Sequence, residues 1–361
     1  MTIQARTAEW FSRHTTLIIL SGPLLLVSLL TQVIGDRLLE RIVITMFINL
    51  ILVLGLQIFM GNSGILSFAH IGFMGIGAYI SVLFSMTPQA KAIGLPDLYP
   101  FLVPVHVPFL AAILIGALVA CLVAALVSFP LMRLSDAAAV ITTFALLVII
   151  HVVLVHWENI TNGPQTLFGV SRYTYLWNTT AWAILFVIAA YLFKESSLGL
   201  RLRASRDDEY AAATSGINIV MVRWAGFVLS AFAAGLGGGL WAHFITSFSP
   251  KAFYLTETFV ILAMLVTGGP RGVSGAVLGT LVVTAVREIL RAIENSVNIA
   301  GMFETTVVGF AEVFLSAALI VILILRPSGI LGGHELRWPS RQSKVPVAEE
   351  AYERSAGAKG A

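Results

Sequence analysis

Between Gly61 and His70 the chain reads GNSGILSFAH, with two glycines, an asparagine, two serines and an imidazole in ten residues. These groups suit recognition better than bond chemistry. Gly61 and Gly64 can break a helix, and a half-helix beginning near Ser63 to Ser67 would aim unpaired N–H groups, the positive end of its dipole, at a carboxylate. Gly61, Asn62, Ser63, Gly64, Ser67 and His70 are therefore the candidate pathway residues. His70 has two readings, a hydrogen-bonded structural group or a contact for the passing molecule. No second His, Cys or carboxylate lies at ligand spacing, so no metal site is expected. No nucleophile–base pair stands out, and no catalytic residue is expected.

The elements that must position this stretch are apolar. Of 361 residues 58% are hydrophobic and 11% charged, with a mean hydropathy of +0.90. A soluble domain carries roughly a quarter charged residues, so the chain belongs in a bilayer. Irregular backbone at membrane depth persists only where protein buries it or a water-filled cavity satisfies it. The apolar runs predict an all-α, polytopic bundle of ten spans, near 16–34, 42–60, 70–86, 109–129, 137–156, 181–194, 224–246, 257–268, 273–290 and 305–325. The eighth is short, and eight or nine spans are also compatible with the pattern. Cys121 is the lone cysteine, which rules out an internal disulfide framework.

Orientation follows from Lys and Arg. With the N-terminus inside, fifteen of the 22 basic residues fall on the cytoplasmic side, and both termini are expected there. Residues 1–15 then form a cytoplasmic segment, 16–330 the membrane domain, and 331–361 a polar tail whose composition predicts disorder. The net charge of +3 is spread over loops and gives no reason to expect a nucleic-acid partner. In the external loop Thr87–Pro108, five prolines argue against a regular helix.

Residues 195–223, on the arginine-rich side, form the longest charged stretch between spans. Asp207, Asp208 and Glu209 suit a helix N-terminus, alanines follow, and Gly216 suits a left-handed cap. One short helix, Asp207 to Ser215, is predicted, either as a solvated connector or as a docking helix for a partner. Gly72, Gly75 and Gly77 permit close packing, and Ala231, Gly235 and Gly239 form a ladder of small residues on one helix face. Glu288, beside Arg287, and Glu312 are intramembrane charges, read as ion pairs, snorkelling groups or transport groups.

YAAATSG, Tyr210 to Gly216, resembles the E-A-A-x-x-x-G motif of ATP-binding-cassette importer permeases. Ala211, Ala212 and Gly216 match, and Tyr210 stands where the motif has Glu. The wider run from Ser196 to Asn218 and GNSGILSFAHIGFMGIGAY resemble LivM-type permeases of branched-chain amino-acid importers more closely. So do ITTFAL, TNGP, VLSAFAAGLGGGL and RPSGILG, which follow in the family's order as far as Gly332. The resemblance implies a transport subunit of a bacterial inner membrane, not an enzyme. It further implies a second, LivH-type permease subunit, two cytoplasmic ATP-binding subunits and a periplasmic substrate-binding protein. No G-x-x-x-x-G-K-[ST] loop is present, so no cofactor is expected in this chain and ATP would bind the partner subunits. Asp207, Asp208, Glu209, Tyr210, Ala211, Ala212 and Gly216 would couple to the ATPase. Branched-chain or related amino acids are the implied cargo. Urea, short amides or aromatic acids, or a stand-alone transporter or channel, are the alternatives.

Overall fold

The computed structural model describes residues 3–134 and 136–299, together with Val313, Ala317, 328–332, Glu335 and Leu336. The chain divides into a main unit, Leu20–Glu335, and a small unit made of Met1–Ile19 and Leu336–Ala361. In the small unit the backbone is helical from Ile3 onward.

Among the described residues the α-helices are α1 (Ile3–Ile34), α2 (Arg37–Leu56), α3 (His70–Ser85), α4 (Pro88–Gly94), α5 (Phe109–Leu131), α6 (Asp136–His156), α7 (Glu158–Thr161), α8 (Leu176–Glu195), α9 (Ser197–Asp207), α10 (Glu209–Thr214), α11 (Ile219–Ile245), α12 (Leu255–Gly268) and α13 (Val273–Ile299). No strand forms among these residues, and an isolated bridge joins Leu167 to Phe248. Among the described residues eight helices are long and apolar enough to cross a membrane. An apolar solvent forces each span to satisfy its backbone internally, which a helix does. The fold is that of a multi-pass helical membrane protein.

Nine of the ten expected spans coincide with helices. The third, α3, has 16 residues and reaches about 24 Å, short of a typical hydrocarbon core of ~30 Å. Of the tenth, 305–325, only Val313 and Ala317 are among the described residues, and Glu312 and most of the tail 331–361 lie outside them. The ninth was expected to end near residue 290, but α13 continues to Ile299. Its charges allow this. Arg287 pairs with Glu257 of α12 at 3.7 Å and Glu288 with Arg291 at 3.5 Å.

The proline-rich stretch 87–108 also departs from expectation, because it holds α4 and a 3₁₀ turn, Pro100–Leu102. Pro88 and Pro100 open these turns, where an N–H would have no helical partner. Lys91 is buried and donates to the carbonyls of Leu102 (2.9 Å) and Val105 (2.5 Å), tying the loop to itself. Burial lowers its pKa.

Small residues set the centre of the main unit, where α3, α5 and α11 cross. A Cβ on Gly77 would stand 2.1 Å from the Gly235 carbonyl oxygen, and one on Gly238 would stand 2.0 Å from that of Met74. Gly116 of α5 faces the Gly77 carbonyl in the same way, at 2.6 Å. Backbones thus touch backbones, the packing that replaces a hydrophobic driving force between helices in lipid. Two imidazole–hydroxyl bonds join α3 to α11, His70 Nε2 to Ser230 Oγ (2.7 Å) and His243 Nε2 to Ser85 Oγ (2.6 Å).

Candidate functional site

α2 does not simply end at Leu56. Gln57–Gly61 forms one π-helical turn, Asn62 and Ser63 complete the helix, and Gly64 turns away with φ +76°. Residues 64–68 are irregular and Ala69 leads into α3. The half-helix expected to begin near Ser63 to Ser67 therefore begins at His70. The side chains explain the delay. Asn62 Nδ2 bonds back to the carbonyls of Ile58 (3.0 Å) and Gln57 (3.3 Å), carrying the first helix past Gly61. Ser67 directs its hydroxyl to His70 Nδ1 (3.1 Å), and Ala69 provides no side-chain cap.

The helical side of the break, Gln57 to Ser63, is buried and incompletely bonded, while Gly64 is exposed. Gln57 is inaccessible, and among the described residues neither atom of its amide has a partner; Asn62 Oδ1 is in the same state. Pi turns recur at functional sites. Gly61 is fixed by contact, since a Cβ there would stand 2.1 Å from the Pro270 carbonyl oxygen. The glycine-rich turn between α12 and α13 thus lies directly on the break. Residues 330–331 clasp that turn, with the N–H groups of Ile330 and Leu331 bonding to the carbonyls of Thr267 (2.9 Å) and Gly268 (3.2 Å). Glu335 accepts the first N–H groups of α13, from Val273 (2.9 Å) and Ser274 (3.0 Å), and pairs with Lys194 of α8. Burial by itself would raise the Glu335 carboxyl, but the Lys194 ammonium and hydrogen bonds from Lys194 and Ser274 hold it below its ordinary value.

The segment 195–223 contains two helices where one was expected. α9 ends at Asp207, Asp208 is extended (φ −153°, ψ 109°), and α10 starts at Glu209. Asp207 therefore closes the earlier helix instead of opening the later one. Asp208 makes the division, because its carboxylate accepts the Ala211 N–H (2.9 Å), the bond of an N-cap. Glu209 pairs with the buried Arg223 of α11 at 2.8 Å. Gly216 has φ +82°, and the bonds Gly216 N–H to Ala213 O (3.0 Å) and Ile217 N–H to Ala212 O (3.1 Å) form a Schellman end. Tyr210 is 88% exposed and Ala211 is exposed, whereas Ala212 is only 4% exposed and faces its own chain.

Sequence reasoning passed over Arg206. Its Nη1 donates to the Gly61 carbonyl (2.8 Å), and Nε and Nη2 both donate to Asp207 Oδ1 (3.0 and 2.8 Å). Its side-chain carbons occupy the space beside Gly64, with Cγ 2.7 Å from where a Cβ would be. The available signal was weak, namely a helix end at Gly61 whose last carbonyls need donors and an Arg–Asp pair elsewhere in the chain.

The structure thus gathers Gly61, Asn62, Ser63 and Gly64, joins them through Arg206 to Asp207, and sets His70, bonded to Ser67, against Ser230 of α11. Gly72 lies against Ile150 of α6, Gly75 against Leu154 and Phe253, and Gly235 and Gly239 against α5, while Ala231 is fully buried. The groups at the break are amides, hydroxyls, an imidazole and bent backbone, which can bind and move.

Residues 38–325 match the family described as branched-chain amino acid transport system / permease component. The chain belongs to this family. The permease is 25% identical over 318 residues to the high-affinity branched-chain amino acid transport system permease protein LivM of Salmonella typhimurium, covering 79% of this chain and 68% of that one. It is 25% identical over 320 residues to LivM of Escherichia coli, with the same shares. Over 172 residues it is 28% identical to the probable branched-chain amino acid transport permease protein LivH of Methanocaldococcus jannaschii, covering 47% of this chain and 52% of that one. No solved structure matches the permease. The matched range includes the break, α9 and α10, and the turn beneath α13.

Proposed function

We propose that this permease is one membrane subunit of an ATP-binding-cassette importer for branched-chain or closely related amino acids in a bacterial inner membrane. A LivH-type second permease would complete the pathway, and a periplasmic binding protein would deliver cargo. Two cytoplasmic subunits would bind and hydrolyse ATP and meet this chain at α10. The observation that carries the reading is the geometry of α10. It is a short helix capped at both ends, exposing Tyr210 and Ala211 and joined through Asp208 and α9 to the break between α2 and α3. A rigid capped helix can receive a push, and a bent, partly unbonded junction can move in response. Within this scheme α9 and α10 lie on the side where most Lys and Arg fall.

The test is co-expression with candidate ATPase, second permease and binding protein in a strain lacking leucine uptake. The complex is expected to co-purify and to hydrolyse ATP in response to the loaded binding protein. Radiolabelled leucine should accumulate. Gly216→Pro fixes φ near −65°, against the +82° observed. It should lower stimulated hydrolysis about tenfold (~1.4 kcal/mol in the barrier) while insertion stays near normal. Uptake by the isolated chain with no ATPase would refute the assignment. Accumulation of urea or aromatic acids in place of leucine would refute the cargo alone.

A further inference from the structure

We propose that Arg206 is the positioning residue through which movement of α9 and α10 reaches the break between α2 and α3. The inference rests on the reading that α10 meets an ATPase, and it names the link that such a reading needs.

The geometry supports transmission in both directions along α9. The guanidinium holds the Gly61 carbonyl, so a withdrawal of α9 pulls on the last turn of the broken helix. The carbon stem fills the notch that Gly64 leaves, so an advance of α9 presses on the one residue of the break whose positive φ marks a change of direction. Asp207 takes Nε and Nη2 on one oxygen and leaves Nη1 directed at Gly61. A forked donor fixed by a carboxylate keeps its orientation where a lysine would swivel.

The lever is stiff where it must be. α9 is capped by Ser196, whose hydroxyl accepts the Gly199 N–H (3.2 Å), and it buries Leu202 completely. A Cβ on Gly199 would stand 2.1 Å from the Phe193 carbonyl oxygen, so the start of α9 lies tightly on the end of α8. The far end is jointed, since Asp208 is extended between α9 and α10. The receiving end is a π turn, and such an insertion interrupts the regular hydrogen-bond ladder and locally weakens the helix. Arg206 spans 145 residues of sequence to connect the two.

Arg206→Ala and Arg206→Lys are compared in the complete importer, each in a Cys121→Ala background carrying Leu66→Cys within the irregular stretch. Three quantities are read: ATP hydrolysis stimulated by the loaded binding protein, leucine uptake, and maleimide labelling at position 66 with and without ATP and vanadate. With Ala, hydrolysis is expected to stay within about twofold of the parent and uptake to fall about tenfold, with labelling no longer following nucleotide. With Lys, which keeps a cationic donor but loses the fork, uptake should fall between that of Ala and that of the parent. Labelling that remains nucleotide-dependent in Arg206→Ala, or uptake per ATP within twofold of the parent, overturns the inference alone. A well-assembled Lys variant no better than Ala overturns it as well. A parent complex whose labelling ignores nucleotide overturns the functional reading and this inference with it. Should Arg206→Ala not assemble, Arg206→Gln, which keeps an amide donor without the charge, is read against the same outcomes.

Discussion

The crossing of α3, α5 and α11 and the break between α2 and α3 are both rich in glycine, yet they hold together in opposite ways. At the crossing, glycine removes a side chain so that backbones meet, and the imidazoles of His70 and His243 are bonded on both nitrogens. At the break, glycine supplies a bend at Gly64, three buried amide atoms of Gln57 and Asn62 lack partners among the described residues, and a long arginine from α9 joins the Pro270 backbone in holding Gly61. Rigidity in lipid comes from the first arrangement, because many close backbone contacts must be lost together before the helices part. Freedom comes from the second, where a weakened helix end is held by one backbone contact at Gly61 and one long side chain. The same residue type therefore marks a fixed region and a movable one, and what approaches the glycine decides which.

The largest effect is expected at the crossing. Gly238→Val places carbon against the Met74 carbonyl, where the obstacle is backbone and cannot rotate aside. Overpacking of this kind costs ~3 kcal/mol or more, and monodisperse protein should be lost on size-exclusion chromatography in detergent. A normally eluting, active Gly238→Val chain would mean that the helices can part, and the contrast between the two regions would disappear.

At the break the same substitution should separate folding from transport. Gly64→Val meets a φ of +76°, a penalty of about 1–2 kcal/mol for an L-residue, and displaces the stem of Arg206. Yield of assembled complex should stay within about twofold while uptake falls about tenfold. Loss of assembly with no selective loss of uptake would make this region a second packing site.

The smallest effect concerns the clasp at Glu335, which steadies the turn lying on the break. Its carboxyl is held below its ordinary value, so the ion pair stabilises the protein above the unfolded carboxylate pKa of about 4.3 and that contribution fades as pH falls through the lower folded value. Glu335→Gln should lower the thermal midpoint at pH 7 by about 2–4 °C for a contribution of ~1 kcal/mol. The two proteins should converge as the pH is lowered below about 4. A difference that persists unchanged in acid would assign the effect to packing.

The positions of nine helices were legible because an apolar solvent forces long uninterrupted runs of apolar residues, and such runs are read directly. Ends were less legible. α13 runs nine residues beyond the apolar stretch, with Arg287 paired to Glu257 of α12 and Glu288 to Arg291 one turn on, and the pairing across helices is not apparent from composition. Gly216 was readable as a left-handed end since the alanine run before it and the glycine specify a cap locally. The division at Asp208 and the late start of α3 were not, because each depends on which of several nearby polar side chains takes a given backbone group.

The sequence by itself determined the solvent, the number of helices that could be counted from it, and the presence of a glycine-rich break followed by a charged segment. These are properties of composition and local order, and each is set by residues close along the chain. Only the tertiary structure decided that Gly61 meets Pro270, that Ala212 faces inward while Ala211 faces out, and that Arg206 reaches the break. Those facts depend on how helices far apart in sequence come to lie beside one another. A hydrogen bond spanning 145 residues leaves no periodic trace at either of its ends.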